Sequence, residues 1–115
     1  MKYMSNSKKM KTIWLSYDLG IRGDYESLYL WLDKLDAREC GDSLAVFKYN
    51  PREDLVASLK RDLKKNVKIK YGDRIYIIYL KEGRMKGEFI FGQRKKSPWV
   101  GYATAIAETE DVEAV

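Results

Sequence analysis

The stretch Thr12-Ile13-Trp14-Leu15-Ser16-Tyr17-Asp18-Leu19-Gly20 is a short apolar run that ends on a carboxylate and a glycine. Because successive strand residues face opposite ways, its alternation predicts a strand with two distinct faces. One face carries Ile13, Leu15, Tyr17 and Leu19, and the other carries Trp14, Ser16 and Asp18. Asp18 is then at the carboxyl end of the strand, where the surrounding scaffold would hold a polar side chain rigidly. We therefore take Asp18 as the first candidate site residue.

The residues after this strand predict a helix and two more strands. Asp24 is a suitable helix N-cap, and leucines recur at helical spacing after it, at Leu28, Leu32 and Leu35. Within residues 37–49, a Gly41-Asp42 turn signal then separates a short strand from a longer, alternating strand.

A second helix is predicted to begin at Pro51 and to end at Asn66. Asn50 can cap it, proline is favoured at the first helical position, and Glu53 can close a capping box. Residues 74–80 follow as a strand that is apolar on both faces, and a turn leads to a half-buried strand over residues 85–91.

This order of elements predicts an α+β fold, a ferredoxin-like βαββαβ sandwich with an extra C-terminal β-strand or hairpin. We expect a disordered N-terminal arm over residues 1–10, a single domain over residues 11–104, and an acidic mobile tail over residues 105–115. Both helices would cover one face of the sheet. A second subunit would bury the other face, so we predict a homodimer with an interface that contains Trp14, Tyr76 and Ile78.

The composition narrows the chemistry. The chain has no histidine and one cysteine in 115 residues. These counts exclude the usual general base, histidine-dependent nucleophile pairs and an intramolecular disulfide, and they argue against a zinc site. No apolar run approaches the roughly 20 residues needed to span a bilayer, so we expect a cytoplasmic protein without a membrane partner.

The charge is unevenly distributed along the chain. Residues 1–104 carry all 22 lysines and arginines against 13 acids, a net charge of +9, whereas the last eleven residues carry four acids and no base. A basic body suggests a polyanionic partner such as RNA or DNA. The candidate nucleic-acid-binding residues are Lys60, Arg61, Lys64, Lys65, Arg94, Lys95, Lys96 and Trp99. The alternatives are a solvated helix face for the first four and a structural hairpin with core aromatics for the rest.

Several short motifs occur in an order that resembles a known family. They are Tyr17-Asp18, Ser43-Leu44-Ala45-Val46-Phe47, Leu59-Lys60-Arg61-Asp62-Leu63, and the segment from Asp73 to Tyr79. Over about residues 11–80 the chain resembles the CRISPR-associated endoribonucleases, the second of the core Cas proteins. The virulence-associated D ribonucleases have a related fold but match these motifs less well.

The resemblance implies a homodimer in which the two copies of Asp18 approach each other across the twofold axis and bind Mg²⁺. Asp18 would then be catalytic, and the ion would orient a water for attack on a phosphodiester. Two alternatives stay open for the protein: a non-catalytic nucleic-acid or protein-binding adaptor dimer, and a partner-binding inhibitor or toxin-antitoxin component. For Asp18 itself, the alternative is a carboxylate that caps the following loop without a metal.

Overall fold

The structure is a computed structural model, and it describes residues 10–105. Its strands and helices are β1 (Lys11–Asp18), α1 (Tyr25–Lys34), β2 (Arg38–Glu39), β3 (Leu44–Tyr49), α2 (Leu55–Asn66), β4 (Arg74–Lys81) and β5 (Arg84–Phe91). Residues 98–105 form turns and a short helical segment. The predicted arm and tail lie almost entirely outside the described residues.

The strands form one sheet in the order β2-β3-β1-β4-β5, and every neighbouring pair is antiparallel. The predicted α+β architecture is confirmed, and β5 is the additional C-terminal strand. The strand that contains Asp18 is the central one. Its register with β4 places Asp18 opposite Arg74 and Trp14 opposite Ile78.

Both helices pack on the same face of the sheet. The predicted inward residues of β1 are buried there, and the largest side chains in this core with no exposed area are Ile13, Leu15, Leu28, Leu59, Leu63, Ile75 and Ile77. Burying a side chain of this size contributes about 1.5–3 kcal/mol relative to leaving it in water. The apolar faces of the strands and of the two helices therefore form a single core on one face of β1.

The predicted start is confirmed for α1 but not for α2. Asp24 caps α1 as predicted, because its carboxylate accepts a hydrogen bond from the Ser27 N–H at 3.2 Å. For α2 the predicted start at Pro51 is wrong, and Asp54 is the cap. The Arg52 N–H donates to the buried Ser58 hydroxyl at 3.2 Å. This hydrogen bond fixes the backbone at Arg52 outside the helix, which begins at Leu55.

A two-residue turn joins β4 to β5. Lys81 and Arg84 are opposite each other, and the residues between them, Glu82 and Gly83, have φ of 53° and 78°. Two successive positive φ values are typical of a type I′ turn, whose twist matches that of a hairpin. The last strand thus pairs with β4 of its own chain.

Neither α1 nor α2 covers the second sheet face, which we call the open face. Trp14, Val46, Tyr76, Ile78 and Phe89 are only partly buried on it. At its far edge Leu80 and Met85 are 55% and 67% exposed. As predicted, β4 is apolar on both faces. Among the residues that the structure describes, no helix is long and apolar enough to cross a membrane.

Candidate functional site

Asp18 lies on the open face at the end of β1, with 55% of its side chain exposed. Arg74 is its register partner on β4, and Nη2 of Arg74 donates to Oδ2 of Asp18 at 2.8 Å. This hydrogen bond, with the positive charges of Arg74 and Lys95, holds the pKa of Asp18 below its usual value. Asp18 is therefore a carboxylate at neutral pH that already has a cationic partner.

A cavity of about 280 Å³ opens beside this ion pair on the open face. It is lined by Ser16, Asp18, Arg74, Tyr76, Phe89 and Arg94. The rings of Tyr76 and Phe89 meet edge to face with centroids 4.8 Å apart. The Arg94 guanidinium carbon lies 5.9 Å from the Tyr76 centroid and 5.7 Å from that of Phe89. We call this the aromatic cavity.

A larger cavity of about 600 Å³ adjoins it where β4 begins and β5 ends. Residues 69–74 and 91–95 line it, so it shares Arg74 and Arg94 with the aromatic cavity. Lys70 and Lys95 add two more cations, whereas the one acid, Asp73, is buried and accepts a hydrogen bond from the Lys70 N–H at 2.8 Å. We call this cavity the basic groove.

Gly92 closes one wall of the basic groove. Its φ is +77°, and a Cβ there would lie 2.6 Å from the carbonyl oxygen of Asp73 and 2.8 Å from Cγ of Arg74. Only glycine permits the two chain segments to approach this closely. The approach sets the spacing of the cations on either side of the groove.

The two halves of the domain have opposite net charges. Residues 60–96 contain thirteen lysines and arginines against four acids, a net charge of +9, whereas residues 10–59 contain six against nine, a net charge of −3. The first segment includes most of α2, both strands of the β4–β5 hairpin and the basic groove, and we call it the basic half. The structure thus gathers the cations on one side of the sheet.

Most of the cations in the basic half have no acidic partner among the described residues. Within residues 10–105 the only ion pairs closer than 4.0 Å are Arg74–Asp18 at 2.8 Å and Arg61–Glu53 at 2.5 Å. The other lysines and arginines of this half are therefore free of carboxylates at that distance. Uncompensated, exposed cations of this kind suit a polyanionic ligand.

The structure brings some of the predicted nucleic-acid-binding residues together. Lys60, Arg61, Lys64 and Lys65 are exposed on α2, and the Lys60 ammonium lies 6.0 Å from the Phe91 centroid, which connects this helix to the basic groove. Arg94 and Lys95 line the groove itself, and Lys96 follows them as an exposed residue.

Trp99 does not join this group. It is 71% exposed and makes no ring contact with the described residues. The alternative of a structural hairpin with core aromatics is wrong, because Trp99 on a turn and Tyr102 at the start of the short helical segment are both exposed.

Sequence reasoning missed the residues at the entry to β4. Lys68, Lys70 and Tyr71 are exposed in the connection after α2, and Arg74 joins the two cavities. The alternation of lysines with Ile69 and Tyr71 in Lys68-Ile69-Lys70-Tyr71 was the available signal. The structure places Lys70, Tyr71 and Arg74 close to residues 91–95, a proximity that sequence spacing does not reveal.

The three predicted dimer residues lie together on the open face. Trp14 stands opposite Ile78, and Tyr76 stands opposite Ser16 on the same pair of strands. The ring of Tyr76 lies over Gly87, where an added Cβ would be 2.3 Å from its hydroxyl oxygen. They form a contiguous, partly apolar surface, and Tyr76 also lines the aromatic cavity.

The described residues of one chain contain no cluster of metal-ligating side chains. Within residues 10–105 no three side chains among His, Cys, Asp and Glu are grouped so that they could hold a metal ion. Asp18 is a single carboxylate, and a guanidinium already occupies one of its oxygens. Proteins bind magnesium through one or two carboxylates, with waters or phosphates as the other ligands, so Asp18 of a second copy would supply a second carboxylate.

No protein-family model matches the chain. No curated protein and no solved structure matches it either.

Proposed function

We propose that this protein binds nucleic acid through its basic half, on a ferredoxin-like scaffold. The scaffold assignment is supported by the strand order β2-β3-β1-β4 with two helices on one face, to which β5 is appended. The motif resemblance to the CRISPR-associated endoribonucleases supports both parts of the proposal.

One observation carries the binding function: the basic half presents a net charge of +9 with only two of its cations in ion pairs within the described residues. A polyanion that contacts these side chains releases its condensed counterions, which favours binding at low salt. The negative net charge of the other half orients the approach of a polyanion toward the basic half.

Binding without cleavage agrees better with the geometry than catalysis does. Arg74 neutralises the only acid among the described residues that line the aromatic cavity, so a single chain offers Mg²⁺ one carboxylate that already has a cationic partner. Magnesium-dependent cleavage through Asp18 stays a prediction of the resemblance. It requires a homodimer that brings two copies of Asp18 together.

The homodimer is part of the proposal. It is supported by the open face, where Trp14, Val46 and Ile78 stay partly exposed in adjacent register positions. Packing this row against a second copy would remove apolar side chains from water and leave the basic half at the periphery.

Fluorescence anisotropy with labelled 20-nucleotide RNA and DNA, over a series of KCl concentrations, tests the binding function. The test variant is Lys64→Gln/Lys65→Gln/Lys95→Gln in the basic half. The control, Lys34→Gln/Arg38→Gln/Lys48→Gln, removes the same charge from the other half. Each lost phosphate contact lowers the salt slope by about 0.7 for a single strand, so we expect a decrease of about 2 for the test variant.

The control should keep the wild-type salt slope. Wild-type protein without salt-sensitive binding, or equal effects of the two triple variants, would overturn the proposal. Incubation of the same oligonucleotides with Mg²⁺ tests the catalytic prediction. Cleavage that is lost in Asp18→Ala would support it, and cleavage that persists in Asp18→Ala would exclude Asp18. Salt-sensitive binding without cleavage would support a binding protein.

A further inference from the structure

We infer that the aromatic cavity accepts an unpaired base, so that the ligand is single-stranded nucleic acid whose backbone follows the basic groove. This inference rests on the proposed nucleic-acid-binding function and adds the strandedness of the ligand and the site of the base. It follows from the aromatic rings, the position of Arg94 and the connection between the two cavities.

The rings that line the aromatic cavity are held in place. Tyr76 and Phe89 are opposite each other on β4 and β5, with an interplanar angle of 73°. The Tyr76 ring lies across the sheet over Gly87, and a side chain at that position would displace it. Because strand backbone supports both rings, a planar ligand meets a preformed surface with little loss of side-chain entropy.

Arg94 shows which kind of ligand this surface suits. Its planar guanidinium lies within 6 Å of both rings, and no carboxylate of the described residues pairs with it. Aromatic faces attract guanidinium groups and nucleobases by the same combination of stacking and polarisation. A base can therefore take the place of the guanidinium against the rings.

Arg94 also has a second position within reach. It lines the basic groove as well as the aromatic cavity, where Lys70 and Lys95 are the neighbouring cations. When a base displaces its guanidinium from the rings, Arg94 can contact the adjoining phosphate. The shared residues Arg74 and Arg94 place a base site and a phosphate site next to each other, as in one nucleotide.

The edge of the aromatic cavity is polar. Ser16 and Asp18 line it, and Asp18 has an exposed carboxylate that can accept hydrogen bonds from the amino or imino groups of a base. A base in a duplex has these groups paired and its faces stacked, so it would first have to leave the helix. Single-stranded ligands avoid this cost.

The test uses a 12-nucleotide strand with a single 2-aminopurine, alone and annealed to its complement. Tyr76→Leu and Phe89→Leu replace a flat ring by an apolar side chain, and Tyr29→Leu removes an exposed ring from α1 as a control. We expect the wild-type protein to bind the single strand at least about tenfold more tightly than the duplex. Binding should quench 2-aminopurine fluorescence, because the base stacks on protein rings.

Each cavity variant should weaken single-strand binding at least about fivefold, with an unchanged salt slope and unchanged duplex binding. Tyr29→Leu should behave as wild type. Gly87→Ala retains every ring but displaces Tyr76, and it should also weaken single-strand binding. Circular dichroism and sedimentation velocity check that each variant keeps its fold and its oligomeric state.

Equal affinity for single strand and duplex would overturn the base site, as would cavity variants that bind like wild type. So would a loss of binding that accompanies a change of oligomeric state. In each of these cases salt-sensitive binding by wild-type protein would leave the proposed function standing. Wild-type protein that binds neither ligand in a salt-sensitive manner would overturn both.

Discussion

Asp18 and Arg74 stand directly opposite each other on β1 and β4, and their side chains form an ion pair of 2.8 Å between the aromatic cavity and the basic groove. The pair positions Arg74, whose buried Nε has no hydrogen-bond partner among the described residues. The resemblance implies that the Asp18 carboxylate is a metal ligand. In the single chain this carboxylate instead forms an ion pair with Arg74.

Asp18→Asn should lower the free energy of unfolding at pH 7 by less than about 1 kcal/mol, because the carboxylate is half exposed and solvent screens the pair. The pKa of Asp18 is lowered in the folded state, so the contribution is present above the unfolded pKa and is lost as pH falls below about 4. Urea denaturation of both proteins from pH 7 to pH 3 measures the difference. A difference that grows toward low pH would contradict this role.

Gly92→Ala should destabilise the protein more than Gly83→Ala does. Both glycines have positive φ, 77° and 78°, and this conformation alone costs about 1–2 kcal/mol for alanine. A Cβ at Gly83 meets open space, whereas one at Gly92 meets the backbone of Asp73 at 2.6 Å, which adds about 1–3 kcal/mol. Thermal unfolding of the two variants makes the comparison. Equal losses of stability in the two variants would show that the segments containing Gly92 and Asp73 can move apart without an energetic cost.

Tyr49→Phe should cost about 1–3 kcal/mol, because it leaves the buried Ser58 hydroxyl and the Asp62 carboxylate without their common partner. The matched change Tyr71→Phe, at an exposed residue, should leave the free energy of unfolding at pH 7 unchanged. Urea denaturation at pH 7 measures both. Equal effects of the two changes would exclude a stabilising network at Tyr49.

The same tyrosine should make stability depend on alkaline pH. Burial and the hydrogen bond to Asp62 raise the pKa of Tyr49 to about 12. A raised folded pKa means that the contribution is complete below about pH 10, the unfolded value, and is lost as pH rises toward 12. Tyr49→Phe should therefore lose less stability than wild type between pH 10 and pH 12. The remaining loss is expected from Tyr17 and Tyr79, whose pKa values are also raised to about 12.

Trp14→Glu should convert the proposed homodimer into a folded monomer, because it places a charge in the middle of the open face opposite Ile78. The core on the helix face contains neither residue, so the circular dichroism spectrum should not change. Leu30→Glu, at an exposed position on α1, is the control and should remain dimeric. Sedimentation velocity gives the result. A monomeric wild-type protein would contradict the dimer and, with it, a metal site between two copies of Asp18.

Local sequence patterns predicted much of the architecture. The alternation in residues 12–20 correctly separated the buried face of β1 from the open face, and Asp24 correctly marked the start of α1. These features depend on side-chain periodicity and on hydrogen bonds within a few residues, which the order of residues contains. The start of α2 was mispredicted because the buried Ser58 side chain competes for the Arg52 N–H.

By itself, the sequence determined the order of the strands and helices, the two faces of β1 and the excess of cations in residues 60–96. Only the tertiary structure decided that Arg74 would bind Asp18 and that Tyr76 would meet Phe89 beside Arg94. These contacts depend on the register of strand pairs, and a shift by one residue would send each side chain to the opposite face. Register arises from the packing of the whole core, which no short motif contains.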